Sequence, residues 1–186
     1  MPWLKRYEDT ATLEIPEADR IISDAINADC VQMITLRRRP HSVLATAIIL
    51  RIECVLASNE TVVLWRRGYD LSATPHALDT LPALWTNLRS LLSVQNISGS
   101  PSAGKWISGG SSGSSTNNDN VGNVLINSDF VRKFVWVVGT GTSSLLRELR
   151  GEFRSGLLSQ SVLYVSESQV TAVNSALETA LSASGV

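Results

Sequence analysis

Residues 98–123 read SGSPSAGKWISGGSSGSSTNNDNVGN, and the patterns flanking them decide the fold. The stretch holds six of the chain's twelve glycines and two charges, Lys105 and Asp119. So little apolar surface cannot offset the entropy of ordering a backbone, so the segment reads as a flexible loop. A structureless loop of this length inside a compact domain is usually functional or a linker. Helical patterns stand on both sides of it, which predicts a loop at one end of a helical bundle.

The pattern before the loop is the clearest in the chain. Leu81, Leu84, Trp85, Leu88, Leu91, Leu92 and Gln95 recur at helical spacing, behind Asp79 or Thr80 as cap. After the loop, Asn127, Ser128 or Asp129 can cap a helix carrying Phe130, Val131, Phe134, Val135 and Val138, with Arg132 and Lys133 on its other side. Further upstream, Pro16 with Glu17 and Asp19 opens a helix over 16–36, whose face is Ile22, Ile26, Cys30, Met33 and Ile34. Arg37, Arg38 and Arg39 sit where a helix end favours cations, and Pro40 stops it. Residues 41–57, HSVLATAIILRIECVLA, fit either a helical face or a buried strand, and their length favours helix. Glu60–Arg66 reads as a short strand closed by Gly68.

Downstream, GTGTSS at 139–144 breaks the chain before a short helix, LLRELRGEF. The strand-like SVLYV, 161–165, leads to a last helix capped by Ser166 or Ser168, with a stripe of Val170, Val173, Leu177, Ala180 and Leu181. No internal repeat is apparent. The pattern as a whole predicts a mainly α protein with one short β element. A single domain is expected over 1–186, with an N-terminal arm (1–15), the loop (98–123) and a C-terminal extension (161–186).

Composition narrows function. A net charge of −1 argues against a histone-like binder. The bases are thirteen Arg against three Lys, and Arg suits buried ion pairs and phosphate contacts. The start, MPWLKRYEDT, has no apolar core, so no secretory signal is expected. The longest apolar run, 42–58, contains Arg51 and Glu53 and is too short to span a bilayer. Cys30 and Cys54 form no disulfide or metal pattern and are expected to be buried. His41 and His76 have no nucleophile or carboxylate arranged with them, so neither catalysis nor a metal is expected.

Two constellations carry possible chemistry. FVWVVGTGTSSLLREL could be strand, Gly-rich turn and helix, with backbone N–H groups from Gly139 to Ser144 facing a pyrophosphate and Glu167 on a ribose. That would make the chain a small α/β nucleotide-binding protein. The other is basic: Arg89 before the loop, Lys105 within it, and Arg132 and Lys133 after it. Two antiparallel helices would bring these to one end of a bundle, where Trp106 could stack on a base. The rival cluster, Arg37–Arg39 with Arg66 and Arg67, is expected to lie elsewhere and to serve subunit contacts or solvation.

The order of these pieces resembles the coat proteins of rod-shaped plant RNA viruses, the tobamovirus, hordeivirus and benyvirus group. VVLWRRGYDL followed by ALDTLPALWTNLRSLLSVQN resembles the family's outer strand-like segment and third helix, with Arg89 at an RNA-facing position. The flexible segment at 98–123 is similar to the one at the inner radius of those rods. FVWVVGTGTSSLLRELRGEFRSGLL resembles the last long helix and the turn after it, Arg150 to Arg154. The resemblance covers about 16–160. It implies an up-down four-helix bundle, helical self-assembly in many copies, and single-stranded RNA bound near the central loop through Arg89, Lys105, Trp106, Arg132 and Lys133. It implies no cofactor and no membrane partner, and a place in the virion and the host cytoplasm. A scaffold without nucleic acid is the third reading.

Overall fold

The computed structural model describes residues 2–7, 22–40, 47–70, 83–109, 124–138, 146–156 and 159–182. More than half of these lie in strands, and no four-helix bundle is present among them. The described residues fall into two compact units, one running to Leu91 and the other starting at Leu92.

In the first unit, β1 (Trp3–Tyr7) and β2 (Ile22–Asn27) form an antiparallel ribbon. A 3-10 turn at Ala28–Cys30 leads into β3 (Val31–Pro40), which forms an antiparallel meander with β4 (Ala47–Leu56) and β5 (Thr61–Asp70). Then comes α1 (Ala83–Leu91), which buries Trp85 and Leu88. Leu4, Ile34, Ile52, Cys54, Leu64 and Trp65 make the core of this unit. Cys54 is sealed there, and burial pushes its thiol up to about 12. Cys30 is exposed, contrary to expectation.

In the second unit, β6 (Gln95–Asn96) runs parallel to β7 (Trp106–Ser108), and β7 pairs antiparallel with β8 (Val124–Asn127). A 3-10 turn at Ser128–Phe130 leads into β9 (Val131–Val138), antiparallel to β10 (Leu146–Phe153), which is antiparallel to β11 (Ser159–Ser166). The chain closes on α2 (Val170–Leu181). Its stripe of Val173, Leu177 and Ala180 is buried. Trp136 Nε1 donates to Asn174 Oδ1 at 2.8 Å, tying the helix to β9. The N–H of Gly104 donates to the carbonyl of Ala180 at 2.9 Å.

Four expected helices are therefore mainly strand where they are described: 16–36 holds β2 and part of β3, 41–57 holds β4, 127–138 holds the end of β8 and all of β9, and 145–153 holds β10, with 3-10 turns at Ala28–Cys30 and Ser128–Phe130. The first three are rich in β-branched residues, and β3 is buried at every position from Val31 to Leu36. A strand buried on both faces loses its two-residue alternation, so its apolar run satisfies a helical template equally well. The expected loop at 98–123 also changes. Trp106, Ile107 and Ser108 form a buried strand, and residues 110–123 lie outside the described part. The strand at 60–66, the strand at 161–165 and the last helix are as expected, whereas the helix expected over Leu81–Gln95 is found at Ala83–Leu91, with Gln95 in β6.

The two units are repeats of one motif, which sequence reading missed. Ile26-Asn27-Ala28-Asp29-Cys30-Val31 matches Ile126-Asn127-Ser128-Asp129-Phe130-Val131. In both copies the Asn side chain accepts the Asp N–H, at 3.0 Å from Asp29 and 3.2 Å from Asp129. The next hydrogen bonds repeat as well. Ala28 donates to the carbonyl of Pro2 (3.1 Å) and Ser128 to that of Lys105 (2.8 Å), each the residue before a tryptophan. Ala57 donates to Cys30 (2.7 Å) and Arg154 to Phe130 (2.8 Å).

Register makes the identity unambiguous. Trp3 faces Asn27 as Trp106 faces Asn127. The β3–β4 pair slips by one residue beyond Val31, and the β9–β10 pair slips at the same place beyond Val131. The β4–β5 pair slips at Leu64, between Ile52↔Trp65 and Glu53↔Val63. The β10–β11 pair slips at Val162, between Leu149↔Leu163 and Arg150↔Ser161. Two matching bulges are specific features, because each redirects the strand. Even the turns after β4 and β10 share a left-handed residue, Asn59 at φ 66° and Gly156 at φ 71°.

Candidate nucleic-acid interface

Register builds the most unusual feature of the first unit. Arg37 on β3 faces Arg51 on β4, and Arg51 faces Arg66 on β5. Three arginines thus stand side by side across three strands. Like charges directly opposite each other in a sheet are destabilising. Glu53, two residues along β4 from Arg51 and so on the same face, offsets part of this. Its carboxylate lies 2.8 Å from Arg51 Nη2 and 3.6 Å from Arg37 Nε. Arg37 Nε also donates to Thr35 Oγ1 at 3.4 Å. The Glu53 side chain is 8% exposed, whereas those of Arg37 and Arg51 are 37% and 28% exposed. The carboxylate is thus sunk beneath guanidinium groups that still reach solvent. Arg51 Nε is buried without a hydrogen-bond partner. At the far end of the row, Arg66 lines a cavity of about 240 Å³ with Arg6, Glu60 and Trp65. The backbone register also places Arg38 and Arg67 on either side of Leu50.

The second unit shows what this scaffold needs. The positions of Arg37, Arg51 and Arg66 hold Val137, Glu148 and Tyr164, and Glu53 is replaced by Arg150. The ion pair survives with its polarity reversed: Arg-x-Glu in β4 becomes Glu-x-Arg in β10. Arg150 binds Glu148 with two nitrogens, Nε at 2.7 Å and Nη2 at 2.9 Å. The Ser161 hydroxyl donates to the same carboxylate, and Tyr164 Oη lies 3.4 Å from Ser161 Oγ. Burial pushes the Glu148 carboxyl up, but hydrogen bonds from Arg150 and Ser161 and the Arg150 charge outweigh it, and the group is held below the usual carboxylate range. One ion pair on this face therefore suffices for the motif. The additional arginines of the first unit are not a requirement of the fold.

The five residues expected at the RNA site are divided between the two units. Arg89 lies in the last turn of α1 in the first unit, and burial lowers its pKa. The other four belong to the second unit. Trp106 is 1% exposed, so its ring is part of the core and cannot stack on a base. Lys105 pairs with Asp129 at 3.8 Å. Arg132 and Lys133 share Glu152, at 2.9 and 3.3 Å. Arg132 and Lys133 also line a groove of about 630 Å³ with Phe134, Arg154, Leu177 and Glu178. Phe134 packs over Gly151, where an added Cβ would lie 3.4 Å from its ring. Two carboxylates, Asp129 and Glu152, thus meet Lys105, Arg132 and Lys133.

Residues 139–145 lie outside the described part, but the next segment, Leu146–Phe153, is a strand antiparallel to β9. The helix N-terminus that a dinucleotide fingerprint needs is therefore not there. His41 and His76 also lie outside the described residues. Among the described residues, no group of three or more His, Cys, Asp or Glu is placed to hold a metal, and no helix is long and apolar enough to cross a membrane. No family model, curated protein or solved structure matches the chain.

The arginine row had a readable signal. Arg51 and Glu53 alternate with Leu50, Ile52 and Cys54, a two-residue period that marks a strand with one polar face. Which strand neighbours Arg51 is a matter of register, and register is not local.

Proposed function

We propose that the chain is a structural, coat-type protein that assembles in many copies and binds single-stranded RNA through its phosphates, with Arg37, Arg51 and Arg66 as the contact. One observation carries this reading: a row of like charges is kept on a scaffold that the second unit builds without it. Guanidinium forks suit phosphate oxygens, and an anion in front of the row would relieve its self-repulsion. Neighbouring strands are about 4.8 Å apart, so the row spans about 10 Å, a reach that suits a chain of phosphates better than one small anion.

The test is fluorescence anisotropy of a labelled single-stranded RNA across a salt series. For Arg37→Ala/Arg66→Ala, affinity should fall at least tenfold. The log–log salt slope should flatten by about 1.4, two phosphate contacts at about 0.7 each. Arg132→Ala/Lys133→Ala should change little. The reverse result would move the contact to the groove beside β9. No binding by the wild type at low salt would remove the RNA reading altogether.

A further inference from the structure

In each unit, one strand is exposed whose counterpart in the other unit is buried. Every position of β8, Val124 to Asn127, is buried, but in its counterpart β2 Asp24 and Ala25 are exposed. Positions Val31 to Leu36 of β3 are all buried. In β9, Arg132 and Lys133 are exposed, Phe134 to Val137 half-buried, and Val138 57% exposed. The tryptophans follow the same rule: Trp106 is 1% exposed and its counterpart Trp3 is 58% exposed. Trp3, Ile22 and Val138, three of the five large apolar residues on the described surface, lie on these two exposed strands and their ribbon. Among the described residues β9 pairs only with β10, and β2 only with β1. Among the described residues, each therefore presents an edge without a strand partner.

From this we infer that a second copy of this chain covers both surfaces. The β9 edge of one copy pairs with the β1–β2 ribbon of the next, head to tail. Strand edges left open are templates for strand addition. In a repeat architecture, a surface buried in one repeat and bare in the other marks where the next repeat belongs. Here the required surface exists on the same molecule, so no other protein is needed. The contact is heterologous, joining unlike surfaces, and such contacts propagate into rings or open filaments. The inference rests on the self-assembly half of the proposed function and supplies its interface.

Two variants with charges on exposed positions test it: Val138→Lys, which spoils the β9 side, and Trp3→Lys, which spoils the ribbon. Ile22→Lys serves as a second ribbon variant. Circular dichroism and thermal unfolding check that each still folds. In sedimentation at micromolar concentration, the wild type should run as large species and each variant as the 20.1 kDa monomer. Mixing Val138→Lys with Trp3→Lys should then give a 1:1 dimer, because each retains the surface the other has lost. If the wild type assembles but the variants assemble equally well, or the mixture stays monomeric, the inference is wrong and the self-assembly reading stands. A wild type that stays at 20.1 kDa at all concentrations, with and without RNA, defeats both.

Discussion

The two units share one backbone design and have been filled differently. Where the first sets Ile34 against Cys54, the second sets Phe134 against Gly151, a larger ring over a smaller residue at the same register. Where the first uses Asn59 for a left-handed turn residue, the second uses Gly156. Such exchanges keep local volume and dihedral angles, and that is what allows both copies to fold. The exchange on the polar face keeps neither charge order nor charge number. One unit ends with three arginines in a row, the other with a valine, a glutamate and a tyrosine. Differences that packing explains teach little about function. The difference that packing does not explain is the one on which the proposed anion contact of the first unit rests.

The largest expected effect separates the two tryptophans. Trp106→Ala should cost about 3–5 kcal/mol, the usual range for deleting a buried large ring, and thermal unfolding would measure it. Trp3→Ala should cost under about 0.5 kcal/mol in the monomer. Equal losses would mean that the exposed tryptophan is already covered within one chain.

Next come the ion pairs. Glu148→Arg alone should cost about 3–5 kcal/mol, since it sets two cations together at a buried position. Glu148→Arg with Arg150→Glu restores the order of the first unit and should recover most of that loss by chemical denaturation. Failure to recover would show that the second unit is specific for its own polarity, through Ser161. A pH series adds to this test. The Glu148 carboxyl is depressed on folding, so its contribution is fully present above its unfolded value. That contribution is lost as pH falls through the lower folded value, because the unfolded chain takes up the proton first. Glu148→Gln should therefore weaken the acid dependence of stability in the region below about pH 4.3.

A smaller effect is expected at the matching turns. Gly156→Ala forces a side chain into the left-handed region and should cost about 1–2 kcal/mol, whereas Asn59→Gly relieves the backbone but removes the Oδ1 that accepts from the buried Gln32 amide, and should cost about 1 kcal/mol through that bond alone. The smallest concerns the row itself. Arg37→Val installs the residue of the second unit and leaves Glu53 paired with Arg51. Stability should change by under about 0.5 kcal/mol, or rise slightly, while RNA affinity falls. A loss of about 2 kcal/mol or more would make the row a structural feature and undo the functional comparison.

Some of this was legible locally. Ser166 and Gln169 announce α2, and both the N–H and the hydroxyl of Ser166 donate to Gln169 Oε1, at 3.2 and 3.0 Å. The apolar stripes of α1 and α2 have helical spacing because one face of each is solvated. The preference for Arg over Lys is also visible, as is the cluster of Arg37–Arg39 with Arg66, although helical periodicity favours Arg89, Lys105, Arg132 and Lys133 as the basic site instead. The repeat is nearly illegible. Beyond the Ile-Asn-x-Asp-x-Val match its two copies share register and hydrogen bonds more than residues, and a pairing pattern leaves almost no trace in a single sequence.

The sequence by itself determined the elements whose stabilising bonds are local: the capped last helix, the amphipathic helix before residue 92, and the short strands bounded by turn residues. Only the tertiary structure decided that the apolar runs at 22–40, 47–56 and 131–138 are strands. Their hydrogen bonds go to partners far along the chain, and in β3 burial at every position from Val31 to Leu36 erases the period that would identify a strand. Only the tertiary structure set Arg51 between Arg37 and Arg66, because a slip of one residue in either pairing would turn those side chains to opposite faces of the sheet.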